Sequence, residues 1–86
     1  MYYVYIIYSK KLKKFYTGFT NDLKRRIAEH KGGASNFTQQ VDDWMLVYYE
    51  AFCDKKDAKT EEEFLKTGRG RERRKYLFKN FIENRE

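Results

Sequence analysis

The chain has 86 residues, of which 41% are hydrophobic and 19% aromatic, and it contains no proline. This length and composition are typical of one small folded domain, and they exclude a low-complexity chain. The formal net charge of +6 favours a polyanionic partner, most commonly nucleic acid, and a basic domain without such a partner is the alternative.

The first half of the chain predicts a β-hairpin followed by a helix. Residues 2–8, "YYVYIIY", are aromatic and β-branched throughout, which is typical of a strand buried on both faces. The polar stretch "SKKLKK" predicts a turn, and "FYTGF" predicts a second strand that returns beside the first. A helix is predicted over "DLKRRIAEHK", with Thr20 or Asn21 as its N-cap and with Gly32 and Gly33 after its end.

The second half predicts one more strand and two more helices. The stretch "GGASNFTQQVDD" has no clear period and is interpreted as a loop, and "WMLVYYEAF" predicts the third strand. Asp54 is the predicted N-cap of a second helix that runs to Thr67, and "RERRKYLFKNFIENR" predicts a third helix with Leu77 and Phe81 facing inward. The order ββαβαα indicates a single α+β domain over residues 1–86, with a three-stranded, antiparallel-type sheet flanked by three helices.

Two polar residues of the first helix are predicted to lie beside its buried face. At 100° per residue, Leu23 and Ile27 form the buried stripe, and Arg26 and His30 lie along one edge of it. The arginine that precedes Arg26 points outward. Two interpretations of Arg26 stay open, a site residue that reaches over the sheet or an i,i+4 ion pair with Asp22.

The second helix carries a carboxylate on its apolar stripe. Ala58 and Leu65 mark the stripe, and Glu62 falls between them. A buried carboxylate is costly unless a cation or hydrogen bonds compensate it. A salt bridge to an arginine is one explanation, and a divalent metal ion is the other.

Two tyrosines on the predicted hairpin are also candidates for a site. By strand alternation, Tyr3, Tyr5 and Ile7 share one face of the first strand, and Tyr16 and Gly18 share one face of the second. Gly18 has no side chain and would allow a ligand backbone to approach closely. Packing in the core is the ordinary role of a strand tyrosine and remains the alternative.

Basic residues are concentrated around the start of the third helix. Residues 66–79 contain seven basic residues and one acidic residue, and Gly68 and Gly70 are expected to break the helix and expose N–H groups that bind an anion. A solvated basic face is the alternative. The predicted nucleic-acid contacts lie here and in the hairpin turn: Lys13, Lys14, Arg69, Arg71, Arg73 and Arg74.

The ordered set of motifs resembles the GIY-YIG nuclease family, and most closely its small, single-domain members. The stretch "YVY" at residues 3–5 is similar to the first family motif, and "YTG" at residues 16–18 is similar to the second. Arg26 and Glu62 stand where the family has its helix arginine and its metal ligand. In two places the chain departs from the motifs, since Tyr3 replaces a glycine and Thr17 replaces an isoleucine.

The resemblance implies a metal-dependent endonuclease that hydrolyses phosphodiester bonds in nucleic acid, DNA rather than RNA, with one Mg²⁺ or Mn²⁺ ion. In this interpretation Glu62 binds the metal and Arg26 stabilises charge on the phosphate. Tyr16 activates the attacking water and Tyr5 positions it. His30 follows Arg26 by one turn, and it either shares the role of Tyr16 or is a hydrogen-bonded residue at the edge of the site.

A competing interpretation assigns no catalysis to the chain. Aromatic strands beside basic residues are typical of modules that bind single-stranded nucleic acid by stacking.

The single cysteine, Cys53, excludes an internal disulfide and a cysteine-based zinc site, and no apolar run is long enough to cross a membrane. The expected compartment is the reducing cytoplasm.

Overall fold

The computed structural model describes residues 1–32 and 40–81. Six elements follow one another in the predicted order ββαβαα, which confirms the α+β class. They are β1 (Tyr2–Ser9), β2 (Lys14–Thr20), α1 (Leu23–Lys31), β3 (Met45–Phe52), α2 (Lys55–Leu65) and α3 (Gly68–Leu77). Most of the predicted loop after α1 and the last residues of the predicted third helix lie outside the described residues.

The sheet has the strand order β2-β1-β3, and β1 pairs antiparallel with both neighbours. The central position of β1 explains why its residues are apolar on both faces, since each face must be covered. In the β1–β2 register, Tyr5 lies opposite Gly18 and Ile7 lies opposite Tyr16. The two candidate tyrosines are therefore close neighbours on one face, and β2 is an edge strand that leaves this face accessible from one side.

Each face of the sheet has its own apolar core. On one face, Val4 and Ile6 pack with Leu65 of α2 and with Phe78, which follows α3. On the other face, Tyr5, Ile7 and Trp44 form a second core, against which α1 packs. The predicted inward positions of Leu77 and Phe81 are confirmed, because both pack against the first core. The helices α1 and α2 thus cover opposite faces of the sheet.

The ends of two helices differ from the predictions. The side chain of Asp22, rather than Thr20 or Asn21, caps α1 by accepting a hydrogen bond from the Arg25 N–H. Asp54 caps α2 as predicted. However, α2 ends at Leu65, two residues early, and Thr67 is instead the N-cap of α3.

Gly70, in the first turn of α3, serves packing rather than anion binding. A Cβ atom at Gly70 would overlap the carbonyl oxygen of Phe64 and the backbone of Leu65. Glycine is therefore needed where α3 starts against the end of α2. The Gly70 N–H bonds to the Thr67 hydroxyl at 3.2 Å, so the expectation that this N–H is exposed for an anion is wrong.

A pair of carboxyl groups lies between β3 and α2. The pKa of Glu50 is raised from 4.5 to about 7, first by burial and then by the neighbouring carboxyl group of Glu61. One buried oxygen of Glu50 has no hydrogen-bond donor among the residues described. Two carboxylates can only accept, so the pair forms a hydrogen bond when one member is protonated. Tyr48 and Arg73 also face Glu50, and both lower its pKa.

Replacing Glu50 with glutamine should stabilise the domain at about pH 8 and change it little at about pH 5. Between about pH 4.5 and about pH 7 the folded state keeps a proton that the unfolded chain gives up, so stability falls as pH rises. Solvent screening of this partly exposed group reduces the effect to about 1 kcal/mol, or about 4–8 °C in Tm. Thermal unfolding at both pH values measures it. Glu72→Gln, which removes an exposed carboxylate, is the control, and an equal pH response of the two variants would contradict the prediction.

Candidate functional site

Tyr5, His30 and Arg26 form a hydrogen-bonded network between the sheet and α1. The Tyr5 phenol oxygen lies 2.6 Å from His30 Nε2 and also bonds to the Arg26 guanidinium. A guanidinium only donates, so the phenol oxygen accepts from Arg26. A second hydrogen bond joins the same oxygen to His30 Nε2, and its direction is set by which ring nitrogen of His30 carries the proton.

Both members of the buried pair are neutral at pH 7. Burial raises the pKa of Tyr5 to about 12, although Arg26 opposes the shift. Burial also lowers the pKa of His30 to about 4, and the charge of Arg26 acts in the same direction. Tyr5 is 1% exposed and His30 is 0% exposed. Neither group can exchange protons directly with solvent, so their accessible chemistry is to hold other groups in place.

The space above Gly18 is filled by the protein itself. A Cβ atom at this position would overlap the hydroxyl group and ring of Tyr5. The absence of a side chain therefore lets the Tyr5 ring lie across the neighbouring strand and reach α1. The prediction that Gly18 leaves room for a ligand backbone is therefore wrong, because the Tyr5 ring occupies this space.

Tyr16 is the candidate phenol that reaches the open edge. It is half-buried on the edge strand β2, and its ring packs against that of His30 with a T-shaped geometry and a centroid distance of 5.2 Å. It also lines a cavity of about 290 Å³ together with Lys66, Arg71 and Arg74. Tyr16 thus joins the buried network on one side to a cationic cavity on the other.

Arg26 lies over the sheet as the helical wheel predicts. Its side chain is 29% exposed, against 60% for the neighbouring Arg25. The interpretation as an ion pair with Asp22 is replaced, because Arg26 bonds Glu29 at 2.9 Å and Asp22 caps the helix. The bonds to Glu29 and Tyr5 raise the pKa of Arg26, so it stays charged. Arg26 also lines a second cavity, of about 460 Å³, between the starts of α1 and α2.

Glu62 lies on the inner face of α2, as predicted, and its charge is compensated by lysines. Its side chain is 11% exposed, and its two oxygens lie 3.2 Å from Lys59 Nζ and 3.2 Å from Lys66 Nζ. The expected arginine partner is therefore wrong. No group of three or more metal-binding side chains occurs among residues 1–32 and 40–81. One carboxylate beside half-exposed lysines that can turn away suits a Mg²⁺ ion that keeps several waters and binds substrate phosphate.

These side chains converge on one place. The charges of Arg26 and Glu62 act on the Tyr5 phenol, although α1 and α2 cover opposite faces of the sheet, and Tyr16 packs on the His30 ring of the same network. Arg26 lines a cavity with Phe19 of β2, and Lys59 of α2 lies over the Phe19 ring, so the meeting point is on the β2 side of the sheet. A carboxylate, a guanidinium and two phenols therefore share one region, which is the combination that phosphoryl chemistry uses.

The predicted nucleic-acid contacts divide into three groups. Arg71 and Arg74 line the cavity beside Tyr16. Lys14 lies two positions before Tyr16 on the same face of β2. Lys13, which precedes Lys14, and Arg69, two positions before Arg71, are exposed. Arg73 does not line this cavity and bonds instead to Tyr48.

Two residues of the region were missed from the sequence. Lys66 follows Glu62 by four positions, and this i,i+4 spacing was a sufficient signal for the ion pair. Thr17 faces away from Tyr16 and lines the same cavity. The only signal for Thr17 was its replacement of the isoleucine in the second motif.

The sheet, its three helices and the residues gathered at the β2 edge define a GIY-YIG-type domain. The family model described as the GIY-YIG catalytic domain matches residues 1–76. The chain belongs to this family, which is a family of endonucleases whose members typically use a divalent metal ion.

The relatives found by sequence are UPF0213 proteins, a small group of GIY-YIG-domain proteins. One, from Clostridium perfringens, is 39% identical over 67 residues, which are 77% of this chain and 71% of the relative. A second, from Pediococcus acidilactici, is 34% identical over 84 residues, 94% of this chain and 85% of the relative. A third, from Limosilactobacillus reuteri, is 32% identical over 85 residues, 95% and 88% of the two chains.

No solved structure matches the chain. Among the residues described, no helix has the length and apolar character needed to span a membrane. The names of the relatives state no activity, so the substrate has to be argued from the site.

Proposed function

We propose that this protein is a metal-dependent endonuclease that hydrolyses phosphodiester bonds in nucleic acid, DNA rather than RNA. The observation that carries the proposal is the convergence of Arg26, Tyr16 and Glu62 on the Tyr5 phenol, beside a cavity lined by Lys66, Arg71 and Arg74. A polyanionic strand fits this charge, and the cavity is open at the sheet edge.

Glu62 would hold one Mg²⁺ or Mn²⁺ ion through its carboxylate. Such an ion supplies Lewis-acid stabilisation of the leaving oxygen. Lys59 and Lys66 compensate the Glu62 charge in the free protein, and their side chains are 48% and 54% exposed. Both ammonium groups can therefore turn toward substrate phosphates when the carboxylate takes another partner.

Arg26 stabilises the charge that develops on the phosphate during the reaction. Its guanidinium stays charged and is oriented by Glu29 and Tyr5, so little reorganisation is needed when substrate binds. The planar fork can donate two parallel hydrogen bonds to phosphate oxygens. The partial exposure of Arg26 leaves donors available for this contact.

Tyr16 contacts the attacking water and accepts its proton. Only an ionised phenolate can accept this proton. Lys66, Arg71 and Arg74 line the same cavity, where they would hold substrate phosphates beside Tyr16.

Tyr5 and His30 act through Tyr16 and Arg26. Both are buried and neutral, which supports a positioning role over direct proton transfer. The His30 ring packs on Tyr16, and the Tyr5 hydroxyl bonds to Arg26. Of the two interpretations of His30, we therefore favour the hydrogen-bonded one.

The test is plasmid nicking by the parent protein and by Tyr16→Phe, with Mg²⁺, Mn²⁺ or EDTA. The variant keeps the ring that packs on His30 and loses only the hydroxyl group, so its rate should fall about 10²–10⁴-fold. Tyr76→Phe removes an exposed hydroxyl from α3 and should cleave like the parent. A panel of duplex, single-stranded and branched DNA and RNA then identifies the substrate.

Two results would reject the proposal. Cleavage that persists in EDTA would exclude metal dependence. Salt-sensitive binding without product, in either metal and on every substrate, would instead support the competing binding module.

A further inference from the structure

The cavity beside Tyr16 contains a hydroxyl group without a partner. Thr17 lines the cavity and is 5% exposed, and its hydroxyl oxygen has no hydrogen-bond partner among the residues described. A buried hydroxyl without a hydrogen bond destabilises a fold, and an apolar side chain of the same shape would not have this cost. The family motif has an isoleucine at this position. A polar group that costs stability here points to a ligand that uses it.

Two of the three cations around Thr17 have no acidic partner among the described residues. Neither Arg71 nor Arg74 forms an ion pair with any residue of the described ranges, and the two guanidinium groups repel each other. Arg74 packs its guanidinium 5.5 Å from the centre of the Phe15 ring, and burial lowers its pKa. Lys66 lines the same wall. Three cations and one hydroxyl donor around a cavity of about 290 Å³ match the needs of a phosphate group.

The cavity lies beside the residues proposed for cleavage, so it would hold a phosphate next to the one that is cleaved. Tyr16 lines it directly, and Lys66 is also bonded to Glu62. Thr17 faces the side of the sheet that α2 and α3 cover, opposite to the side on which Tyr5 and Arg26 meet. A strand that places one phosphate between Arg26 and Glu62 can therefore continue around the β2 edge toward α3.

We propose that Thr17, Lys66, Arg71 and Arg74 form a binding subsite for a second phosphate of the substrate strand, next to the one that is cleaved. The subsite rests on the proposed nuclease function. It makes the substrate a polynucleotide that extends past the cleaved bond, because a lone phosphodiester gains nothing from the subsite.

The first experiment measures binding alone. A fluorescein-labelled single-stranded DNA oligonucleotide is titrated with protein in EDTA at low salt, and fluorescence anisotropy gives Kd. Thr17→Val and Thr17→Ile should each weaken binding by about 3–10-fold through the loss of one charge-assisted hydrogen bond. Arg74→Gln should weaken it by about 10-fold and reduce the dependence of Kd on salt.

Matched controls separate this effect from folding and from general charge. Thr60→Val makes the same change at an exposed position of α2, and Lys75→Gln removes an exposed charge next to Arg74. Both should bind within about 2-fold of the parent, since isolated surface groups contribute little. Both Thr17 variants should have an equal or higher Tm, because they remove an unpaired buried hydroxyl. If Thr17→Val and Thr17→Ile both bind the oligonucleotide with the parental Kd, the subsite is overturned.

The second experiment separates the subsite from catalysis. Bis(4-nitrophenyl) phosphate offers one phosphate, and an oligonucleotide offers several. Thr17→Val should lower kcat/KM for the oligonucleotide by about 3–10-fold and leave the small diester unchanged. An equal loss on both substrates would reject the subsite. If the parent protein cleaves neither substrate, the nuclease proposal fails, and the Kd values obtained in EDTA still decide whether the subsite exists.

Discussion

Replacing Arg26 with lysine or alanine should reduce plasmid nicking by at least about 100-fold, whereas replacing Arg25 with alanine should leave it close to the parental rate. The two arginines are adjacent on α1 and both lie near Glu29, but Arg26 alone is turned toward Tyr5. Lysine keeps the positive charge and loses the planar fork, so Arg26→Lys tests the geometry of the contact rather than its charge. Initial rates of supercoiled plasmid loss in Mg²⁺ measure the effect.

Thermal unfolding provides the control for Arg26. The salt bridge to Glu29 is partly exposed, so its loss should cost less than about 1 kcal/mol. Tyr5 would lose one donor but keep its bond to His30. All three variants should therefore unfold close to the parental Tm. Parental nicking by Arg26→Lys together with Arg26→Ala would mean that the guanidinium takes no part in the reaction.

The order of elements could be predicted because each is encoded by local periodicity. β1 is aromatic or β-branched from Tyr2 to Tyr8 because it is the central strand, and this pattern is visible without coordinates. The stripe of Ala58, Glu62 and Leu65 follows from 100° per residue, and all three side chains are buried. The sequence thus predicted a buried carboxylate on α2 but left open whether a salt bridge or a metal ion compensates it.

The helix ends could not be predicted, because several neighbouring residues compete for the same role. Thr20, Asn21 and Asp22 can all cap a helix, and the backbone geometry selects Asp22. Because Asp22 caps the helix, it is not the ion-pair partner that i,i+4 spacing predicts for Arg26. Arg26 bonds to Glu29 instead. Similarly, Gly70 reads as a helix breaker, and only the close approach of α3 to α2 shows that it lies within a helix.

The roles of the site residues depend on contacts between strands and across the sheet, which local patterns do not contain. The alternation of β2 places Tyr16 and Gly18 on one face, but the register opposite Tyr5 determines that Gly18 makes room for its ring. The burial of His30 depends on how α1 packs, and it makes this histidine neutral and places it within hydrogen-bond distance of Tyr5. The sequence therefore indicated candidate site residues but could not assign their protonation.

The buried network explains how a small domain can hold the proposed site in a fixed geometry. Tyr5 is bonded to His30 and Arg26, and the His30 ring supports Tyr16. Tyr5 and His30 are neutral, so their burial avoids the desolvation cost that buried charges would carry. Arg26, the charged member of the network, and Glu62 on α2 both keep some exposure.

Replacing Glu62 with glutamine should abolish metal-dependent cleavage, with a loss of at least about 100-fold, while the domain stays folded. Glutamine keeps the shape of the side chain and removes the charge that would hold the ion. Lys59 and Lys66 are half-exposed and become hydrated when the carboxylate is absent, so Tm should change by no more than a few degrees. Nicking rates across a Mn²⁺ titration, together with thermal unfolding, measure both effects.

The neighbouring glutamate provides the matched control for this change. Glu63 lies on the same helix but is exposed and faces away from the sheet, so Glu63→Gln changes net charge equally without touching the site. It should cleave like the parent at every Mn²⁺ concentration. Equal activity of the two variants would show that no metal is bound through Glu62. A loss in Glu62→Gln that high Mn²⁺ partly restores would instead support weakened metal binding at this carboxylate, because the remaining amide oxygen is a poorer ligand for a hard cation.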